Sequence, residues 1–511
     1  MKKLLFIGLI ALFFSCKEDK QTPEKEITDT IENRRPNIII FYVDDLGYGD
    51  VSSYGATGVK TPNIDKLALN GIRFTDAHSA TATCTPSRYA MLTGNYAFRR
   101  KAAVLKGDAP LIISPEQPTL PKLLKKVGYK TAVVGKWHLG LGDGNVDWNT
   151  TVKPGPAEIG FDYSFLLPST GDRVPSVYME NGNILNLSED DPIEVSYTEK
   201  VGNRPTGYEN PELRRQVADD QHNKTIINGI SRIGWMKGGK SAEWVDEDFP
   251  YKLTEKANTF IKENKDNRFF LYYSFHDIHV PRLPHKNFQG KSEMGPRGDA
   301  IVQVDYVVGE IVKSLETEGI SKNTLIIFTS DNGPVLNDGY EDDAVEKLGN
   351  HKPAGNLRGG KYSVYEAGTR VPTIVYWPEE VAPKISNALM NQVDFYSSFA
   401  ALTGQNKEAS ILDSENHLQA LLGKTDKGRV ETVLEGYTLA LRQGNWKYIK
   451  PSNKPGKWIT EEKKIESGLT TVEQLYDLGR DPSEQTNVAD QFPEKVEELK
   501  FKLKQIEELT Y

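Results

Sequence analysis

Four short runs of apolar, strand-forming residues limit what this chain can fold into. They are Asn37–Val43, Lys130–Val134, Phe269–Phe275 and Thr324–Thr329. Runs of this length without polar alternation are typical of parallel strands that are buried on both faces of a sheet. Helical patterns lie between them, among them 120–127, 253–263 and 299–316. The alternation predicts an α/β fold with a large mixed, mostly parallel sheet flanked by helices.

Each of these strands is followed by polar residues that can do chemistry. In chain order these residues are Asp44 and Asp45, Lys136 and His138, His276 and His279, and Asp331 and Asn332. Ligands bind at the carboxyl ends of the strands in open α/β sheets, so we expect one site along this edge.

The pattern changes in two other regions. Residues 142–248 are polar and rich in Gly, Asn, Asp and Pro, which predicts long insertions over the sheet edge. After Gly404, Glu431–Lys450 predicts a β-hairpin and Pro493–Leu509 predicts an amphipathic helix. We therefore expect a catalytic domain over 36–405. A smaller C-terminal subdomain of antiparallel sheet plus a terminal helix should cover 406–511.

The N-terminus resembles an export signal. A basic start is followed by an apolar stretch, Leu4–Phe14, that is too short to span a bilayer. Ser15 and Cys16 then resemble a bacterial lipoprotein cleavage site. We expect a signal peptide over 1–15, a lipidated Cys16 and a polar tether over 16–35. The protein would then be an outer-membrane lipoprotein, periplasmic or surface-exposed. A plain secretory signal, giving a soluble periplasmic or secreted protein, is the alternative.

Charge and cysteine content narrow the function further. The formal net charge of −8 argues against a nucleic-acid partner, because no basic surplus exists to neutralise phosphates. The chain has 2 cysteines, Cys16 and Cys84. If Cys16 carries lipid, Cys84 has no disulfide partner. An inert buried thiol is the usual state of such a residue.

The surroundings of Cys84 favour a chemical role instead. Pro86 suits the first position of a helix, and Thr85 before it suits the N-cap. Cys84 would then lie just outside a helix end whose N–H groups favour anions. Arg88, one turn into the helix, adds a positive fork that suits oxyanions.

Several ordered blocks resemble one family, the type I, formylglycine-dependent sulfatases of the alkaline phosphatase superfamily. The signature is Cys84-x-Pro86-Ser87-Arg88 with Leu92-Thr93-Gly94 behind it. The other blocks are Asp44-Asp45, Gly135–Gly140, His279-Val280-Pro281, Ser330–Gly333, Gly360-Lys361 with Glu366 and Arg370, and Leu475–Pro482 with Glu484. The similarity runs from about Pro36 to the end of the chain and is greatest to sulfatases that bacteria use on polysaccharides.

The resemblance implies an alkaline phosphatase-like fold and a set of site residues. Cys84 would be oxidised to Cα-formylglycine (3-oxoalanine) by a formylglycine-generating or an anaerobic sulfatase-maturating enzyme. One Ca²⁺ would be held by Asp44, Asp45, Asp331, Asn332 and residue 84. Arg88, Lys136 and Lys361 would neutralise the sulfate. His138 would act as the base and His279 as the acid that protonates the leaving alcohol.

A loop after Gly160 supplies further candidates. Thr170, Asp172 and Arg173 lie where relatives reach into the pocket, so they are candidate substrate contacts. A plain Asp172–Arg173 ion pair on the surface is the alternative. His276 is either a substrate contact or a residue that supports His279.

The resemblance predicts an exported sulfatase that hydrolyses sulfate esters of carbohydrates. Ulvan, carrageenan, fucoidan and glycosaminoglycan oligosaccharides all remain open as substrates. One alternative is a phosphate ester or phosphonate hydrolase of the same superfamily, which would carry two zinc ions. A second is an inactive glycan-binding lipoprotein. Contact with the membrane would be through the lipid anchor alone.

Overall fold

A ten-stranded sheet passes through the centre of the protein in the computed structural model, which describes residues 35–454 and 456–509. The expected signal peptide over 1–15, Cys16 and the tether up to residue 34 lie outside the described residues. Within the described ranges, no helix combines the length and apolar character that crossing a membrane requires.

The chain alternates strands and helices from Asn37 onward. The strands are β1 Asn37–Val43, β2 Ile72–Phe74, β3 Ala77–His78, β4 Lys130–Lys136, β5 Tyr163–Leu167, β6 Met179–Glu180, β7 Asn183–Ile184, β8 Glu194–Ser196, β9 Ile226–Ile227, β10 Ile230–Ser231, β11 Trp235–Lys237, β12 Phe269–Ser274, β13 Thr324–Ser330, β14 Thr373–Tyr376, β15 Lys384–Ser386, β16 Met390–Asn391, β17 Glu431–Glu435, β18 Leu439–Gln443, β19 Trp446–Ile449 and β20 Gln474–Asp477. The α-helices of the described residues are α1 Pro62–Asn70, α2 Cys84–Thr93, α3 Leu120–Lys125, α4 Phe249–Glu263, α5 Gly295–Thr317, α6 Glu366–Thr369, α7 Phe395–Leu402, α8 Leu418–Leu421, α9 Lys457–Glu461 and α10 Pro493–Glu508.

The order of strands in the large sheet is β15–β2–β14–β13–β1–β12–β4–β5–β6–β7. Its centre, β13–β1–β12–β4–β5, is parallel throughout. Antiparallel pairs flank it, β14 with β13 on one side and β6 with β5 on the other. The predicted mixed, mostly parallel sheet is confirmed, and the carboxyl ends of its central strands share one edge.

The central strand is buried on both faces. Ile38, Ile40 and Tyr42 of β1 belong to one hydrophobic core, and the residues between them to a second. The second core lies under α4 and α5, whose Leu253 and Ile301 pack into it. Each fully buried side chain of this size contributes about 1.5–3 kcal/mol relative to exposure, which holds the strand ends in place.

The C-terminal part has its own antiparallel sheet, β17–β18–β19–β20. The last helix, α10, packs on it through Val496, Leu499 and Leu503, which share a core with Leu441 of β18 and Leu475 of β20. The predicted antiparallel sheet and terminal helix are confirmed. The boundary at 405 stays a prediction.

Candidate active site

The metal ligands predicted from the sequence meet where β1 and β13 end. These strands are parallel neighbours, and Val43 lies opposite Ser330. The residues that follow them are therefore side by side, and carboxylate oxygens of Asp44, Asp45 and Asp331 lie within 4.8 Å of one another. All three are fully buried.

Each of these carboxylates has a cation beside it. Arg88 donates from Nη2 to Asp331 Oδ2 over 2.7 Å. Lys361 donates from Nζ to Asp45 Oδ2 over 2.9 Å, and Lys136 donates to Asp44 Oδ2. The predicted cationic residues thus surround the acidic ones.

The donor set still has unused acceptor atoms. Asp44 Oδ1 and Asn332 Oδ1 are buried and have no hydrogen-bond partner among the described residues. Burial, followed by the neighbouring Asp44 carboxylate, raises the pKa of Asp331 to about 6 despite Arg88. Clustered, buried oxygen ligands with free lone pairs fit a hard divalent cation. Asp44, Asp45, Asp331 and Asn332 would hold it.

Cys84 faces this cluster from the first turn of α2. The prediction that Thr85 caps this helix is wrong, because α2 begins at Cys84 and Thr83 precedes it. The Thr85 hydroxyl instead donates to the carbonyl of His138 over 2.8 Å. Burial raises the pKa of the Cys84 thiol to about 12. The thiol is therefore protonated at neutral pH and is a poor nucleophile as it stands.

Two histidines line the same cavity as Cys84, and the hydrogen bonds of each fix its tautomer. His138 Nε2 lies 3.0 Å from the carbonyl oxygen of Leu105, which can only accept, so Nδ1 is the basic atom. His279 Nδ1 lies 2.6 Å from the carbonyl oxygen of Val280, which leaves Nε2 as the basic atom. Burial, reinforced by nearby lysines, holds the pKa of both histidines well below the usual range.

The candidate substrate contacts form a buried group. Arg173 donates from Nη1 to Asp172 Oδ2 over 2.7 Å, and Thr170 also donates to Asp172. Asp172 is only 2% exposed, so the alternative of a surface ion pair is wrong. Asp172 and Arg173 line the cavity, together with His222, whose Nε2 lies 3.2 Å from Asp172 Oδ2.

His276 lies beside this loop. Its Nε2 is buried without a hydrogen-bond partner among the described residues, and its ring packs on Phe249 with the centroids 5.2 Å apart. Gly171 passes so close that a Cβ there would lie 2.3 Å from His276 Nε2. His276 thus shapes the loop that carries Asp172. Its contact with substrate stays a prediction.

The cavity has a volume of about 250 Å³, and several of its lining residues were not predicted from the sequence. They include His222, Asp338, Tyr362, Tyr437, Trp458 and Lys463. Asp338 and Tyr362 follow recognised blocks and could have been suspected on that ground. The other four lie in loops or in the C-terminal part, where no motif marks them.

Asp338 supports the cationic side of the cavity. It accepts from Lys361 Nζ over 2.9 Å and from the Tyr362 hydroxyl over 3.0 Å. Lys463 Nζ lies 3.3 Å from Asp338 Oδ1. Two lysines from distant parts of the chain are thus held at one carboxylate.

The comparisons with known proteins agree with this geometry. A family profile described as Sulfatase matches residues 36–405. The chain is 50% identical to an N-acetylgalactosamine-6-O-sulfatase of Bacteroides thetaiotaomicron over 495 residues, which covers 96% of each protein. It is 30% identical to human arylsulfatase A over 91% of this chain and 87% of that protein.

A solved structure from work on the metabolism of multiple glycosaminoglycans by Bacteroides thetaiotaomicron superposes with a TM-score of 0.91. It is 50% identical and covers 93% of this chain and 99% of its own. The family profile spans most of the chain and includes every predicted metal and cationic residue. The chain belongs to the sulfatase family and is a sulfuric-ester hydrolase.

Proposed function

We propose that this enzyme removes the 6-O-sulfate from N-acetylgalactosamine in glycosaminoglycan-derived saccharides. The observation that carries the proposal is the 50% identity, over 96% of both chains, to an N-acetylgalactosamine-6-O-sulfatase. The site supports it, because Lys361 and Cys84 line a cavity whose other walls carry polar and aromatic side chains.

We also propose that Cys84 is converted to formylglycine by a maturation enzyme of the host. The high pKa of the thiol supports this, since the unmodified side chain is a weak nucleophile at neutral pH. The hydrated aldehyde would supply the oxygen that attacks sulfur.

The metal that fits the proposal is one Ca²⁺, held by Asp44, Asp45, Asp331 and Asn332 together with residue 84. All four residues offer oxygen, which calcium prefers, and two of their oxygens have no hydrogen-bond partner within residues 35–454 and 456–509. Calcium would draw negative charge off the sulfate group.

The protein's own side chains divide the remaining work. Arg88, Lys136 and Lys361 balance the charge of the sulfate ester and fix its orientation. His138, with a bare Nδ1, is placed to accept a proton near residue 84. His279 is placed to donate one to the leaving alcohol. Binding of an anionic ester beside His279 raises its pKa toward the range in which it can do so.

We propose, finally, that the enzyme is exported as a lipoprotein anchored through Cys16. The apolar stretch Leu4–Phe14 and the cysteine directly after Ser15 support this. A Cys16→Ala variant should move from the membrane fraction of the host to the soluble fraction. Unchanged membrane association of that variant would argue against lipid anchoring.

The substrate proposal is tested with sulfated monosaccharides. The purified enzyme, with formylglycine at residue 84 verified by peptide mass spectrometry, is incubated with the 6-sulfates of N-acetylgalactosamine and N-acetylglucosamine and with N-acetylgalactosamine 4-sulfate. We expect sulfate release mainly from N-acetylgalactosamine 6-sulfate. Faster release from either of the other two sugars would contradict the proposal.

A further inference from the structure

Three aromatic rings form one side of the active-site cavity. Tyr362 follows Lys361, Tyr437 lies in the turn between β17 and β18, and Trp458 lies on α9. The ring centroids of Tyr362 and Trp458 are 4.9 Å apart, and those of Tyr437 and Trp458 are 5.8 Å apart. We call these three residues the aromatic wall. It joins the recognised Lys361 block to the C-terminal part of the chain.

Two residues of the aromatic wall have a strained backbone conformation. Tyr362 has φ 73° and Tyr437 has φ 61°, in the left-handed region, which is sterically unfavourable for a residue with a Cβ. Such strain persists only where the surroundings enforce it, and it concentrates at functional sites. Here Tyr362 N–H donates to the Ala82 carbonyl over 2.8 Å. Gly436 packs so closely on Ser363 that a Cβ would lie 2.6 Å from its carbonyl carbon.

We propose that the aromatic wall binds the apolar C–H face of the sugar ring that carries the sulfate, and so determines specificity. This inference rests on the proposed carbohydrate substrate. The face of an aromatic ring is negative, so it attracts the polarised C–H bonds of a pyranose. Elsewhere the cavity offers Asp172, Arg173 and His222, which can hydrogen-bond hydroxyl groups. The two kinds of surface match the apolar and polar sides of one sugar.

Size and exposure point to the same occupant. The cavity, at about 250 Å³, is smaller than pockets for drug-sized ligands, which run to about 300–1,000 Å³, and this suits one sugar ring. Tyr437 is 39% exposed, which is high for a large aromatic side chain in this protein. A bound ring would cover it.

The test compares alanine and phenylalanine at two positions of the wall. Tyr437→Ala and Trp458→Ala should raise KM for N-acetylgalactosamine 6-sulfate about three- to tenfold, with kcat little changed. Tyr437→Phe and Trp458→Phe keep an aromatic face and should retain most of the affinity. Inorganic sulfate, used as a competitive inhibitor, reaches only the cationic end, so its inhibition constant should not move.

Trp446→Ala is the matched control, because Trp446 packs on Phe492 outside the cavity, with centroids 5.1 Å apart. It should leave KM unchanged. An unchanged KM in both alanine variants of the wall, or an equal rise in the inhibition constant of sulfate, would overturn the inference.

The outcome is separable from the substrate proposal. If the unaltered enzyme prefers another sulfated sugar, the proposed substrate is wrong, and the same variants are measured with the preferred sugar. A rise in KM there still supports the aromatic wall, and its absence there counts against it.

Discussion

The protein contains two clusters of charged side chains with the same number of carboxylates and cations. One cluster lies in the active site, and the other connects two parts of the fold. The active-site cluster contains three carboxylates and three cations, Asp44, Asp45, Asp331, Arg88, Lys136 and Lys361. The junction cluster also contains three of each, Asp76, Glu366, Glu484, Arg370, Arg442 and Lys447. The first lies at the edge of the large sheet. The second connects α6 and the segment before β3 to the C-terminal sheet.

The junction cluster pairs its carboxylates with its own cations, although Glu484 Oε1 makes no hydrogen bond among the described residues. Arg442 donates to both oxygens of Asp76, over 2.6 and 2.7 Å. Lys447 lies 3.1 Å from Glu366 and 2.9 Å from Glu484. Although burial opposes ionisation, the His78 hydrogen bond and the guanidinium groups of Arg370 and Arg442 hold the pKa of Asp76 well below its usual range. These side chains fix one part of the protein to another.

The active-site cluster leaves two oxygen acceptors without a hydrogen bond. Asp44 Oδ1 and Asn332 Oδ1 have no partner in the described parts of the chain, and the pKa of Asp331 is raised to about 6. The contrast teaches that charge balance alone does not distinguish a structural cluster from a functional one. A raised carboxyl pKa does not distinguish them either, because burial, followed by the neighbouring Glu366 carboxylate, raises the pKa of Glu484 in the junction cluster to about 7. The clusters differ in position, since Lys361 of the active-site cluster lines the cavity with Cys84 and no residue of the junction cluster does.

The first prediction breaks the junction cluster. Arg442→Met should lower the free energy of unfolding by about 3–5 kcal/mol, because it leaves the Asp76 carboxylate buried without its two-point partner. Chemical denaturation measures the loss. Lys200→Met removes an exposed pair with Glu209 and should cost no more than about 1 kcal/mol. Equal losses of stability in the two variants would show that the buried Arg442–Asp76 pair stabilises the protein no more than the exposed Lys200–Glu209 pair.

The second prediction makes the same substitution in both clusters. Asp331→Asn should lower kcat/KM about 100- to 1,000-fold, because it weakens the metal site and the alignment of Arg88. In the absence of calcium its free energy of unfolding should change little, since Arg88 Nη2 also lies 3.7 Å from Asp44 Oδ2. Asp76→Asn should do the reverse and lose stability while the folded enzyme keeps its turnover. Comparable losses of kcat/KM in Asp331→Asn and Asp76→Asn would contradict the separation into a functional and a structural cluster.

The third prediction concerns the metal. Calcium at about 100 times its dissociation constant should stabilise the enzyme by about 2.7 kcal/mol over the chelator-treated form. Thermal unfolding in calcium and in a chelator measures this. The difference should disappear in Asp331→Asn and persist in Asp76→Asn. Two bound zinc ions in place of one calcium, found by metal analysis, would favour the phosphate-ester alternative.

The fourth prediction follows from the lowered pKa of Asp76. A carboxyl whose folded pKa is depressed stabilises the protein above its unfolded pKa, about 3.9, and loses that contribution as pH falls through the folded value. The stability advantage of the unaltered protein over Asp76→Asn should therefore shrink by about 1 kcal/mol between pH 5 and pH 3. A constant difference in stability between pH 5 and pH 3 would show that the ionised Asp76 carboxylate does not stabilise the protein.

Much of the architecture was predictable from the chain. Continuous apolar runs such as Asn37–Val43 can be buried only inside a sheet, and the residues after them must then meet at its edge. The resemblance placed Lys361 and His279 in the same site as Cys84, and all three line the cavity. The predicted helix start at Pro86 is two residues later than the observed start at Cys84. The Thr85 side chain does not cap the helix, because its hydroxyl donates to the carbonyl of His138.

The sequence by itself determined the α/β sheet, the family and the residues that meet at the carboxyl edge of the sheet, because those depend on local patterns and ordered motifs. Only the tertiary structure decided what lines the rest of the cavity. Asp338, His222 and the aromatic wall are brought to the cavity from segments up to several hundred residues away from Cys84. No local pattern specifies such contacts, since they depend on how the loops and the C-terminal sheet pack against the edge of the central sheet.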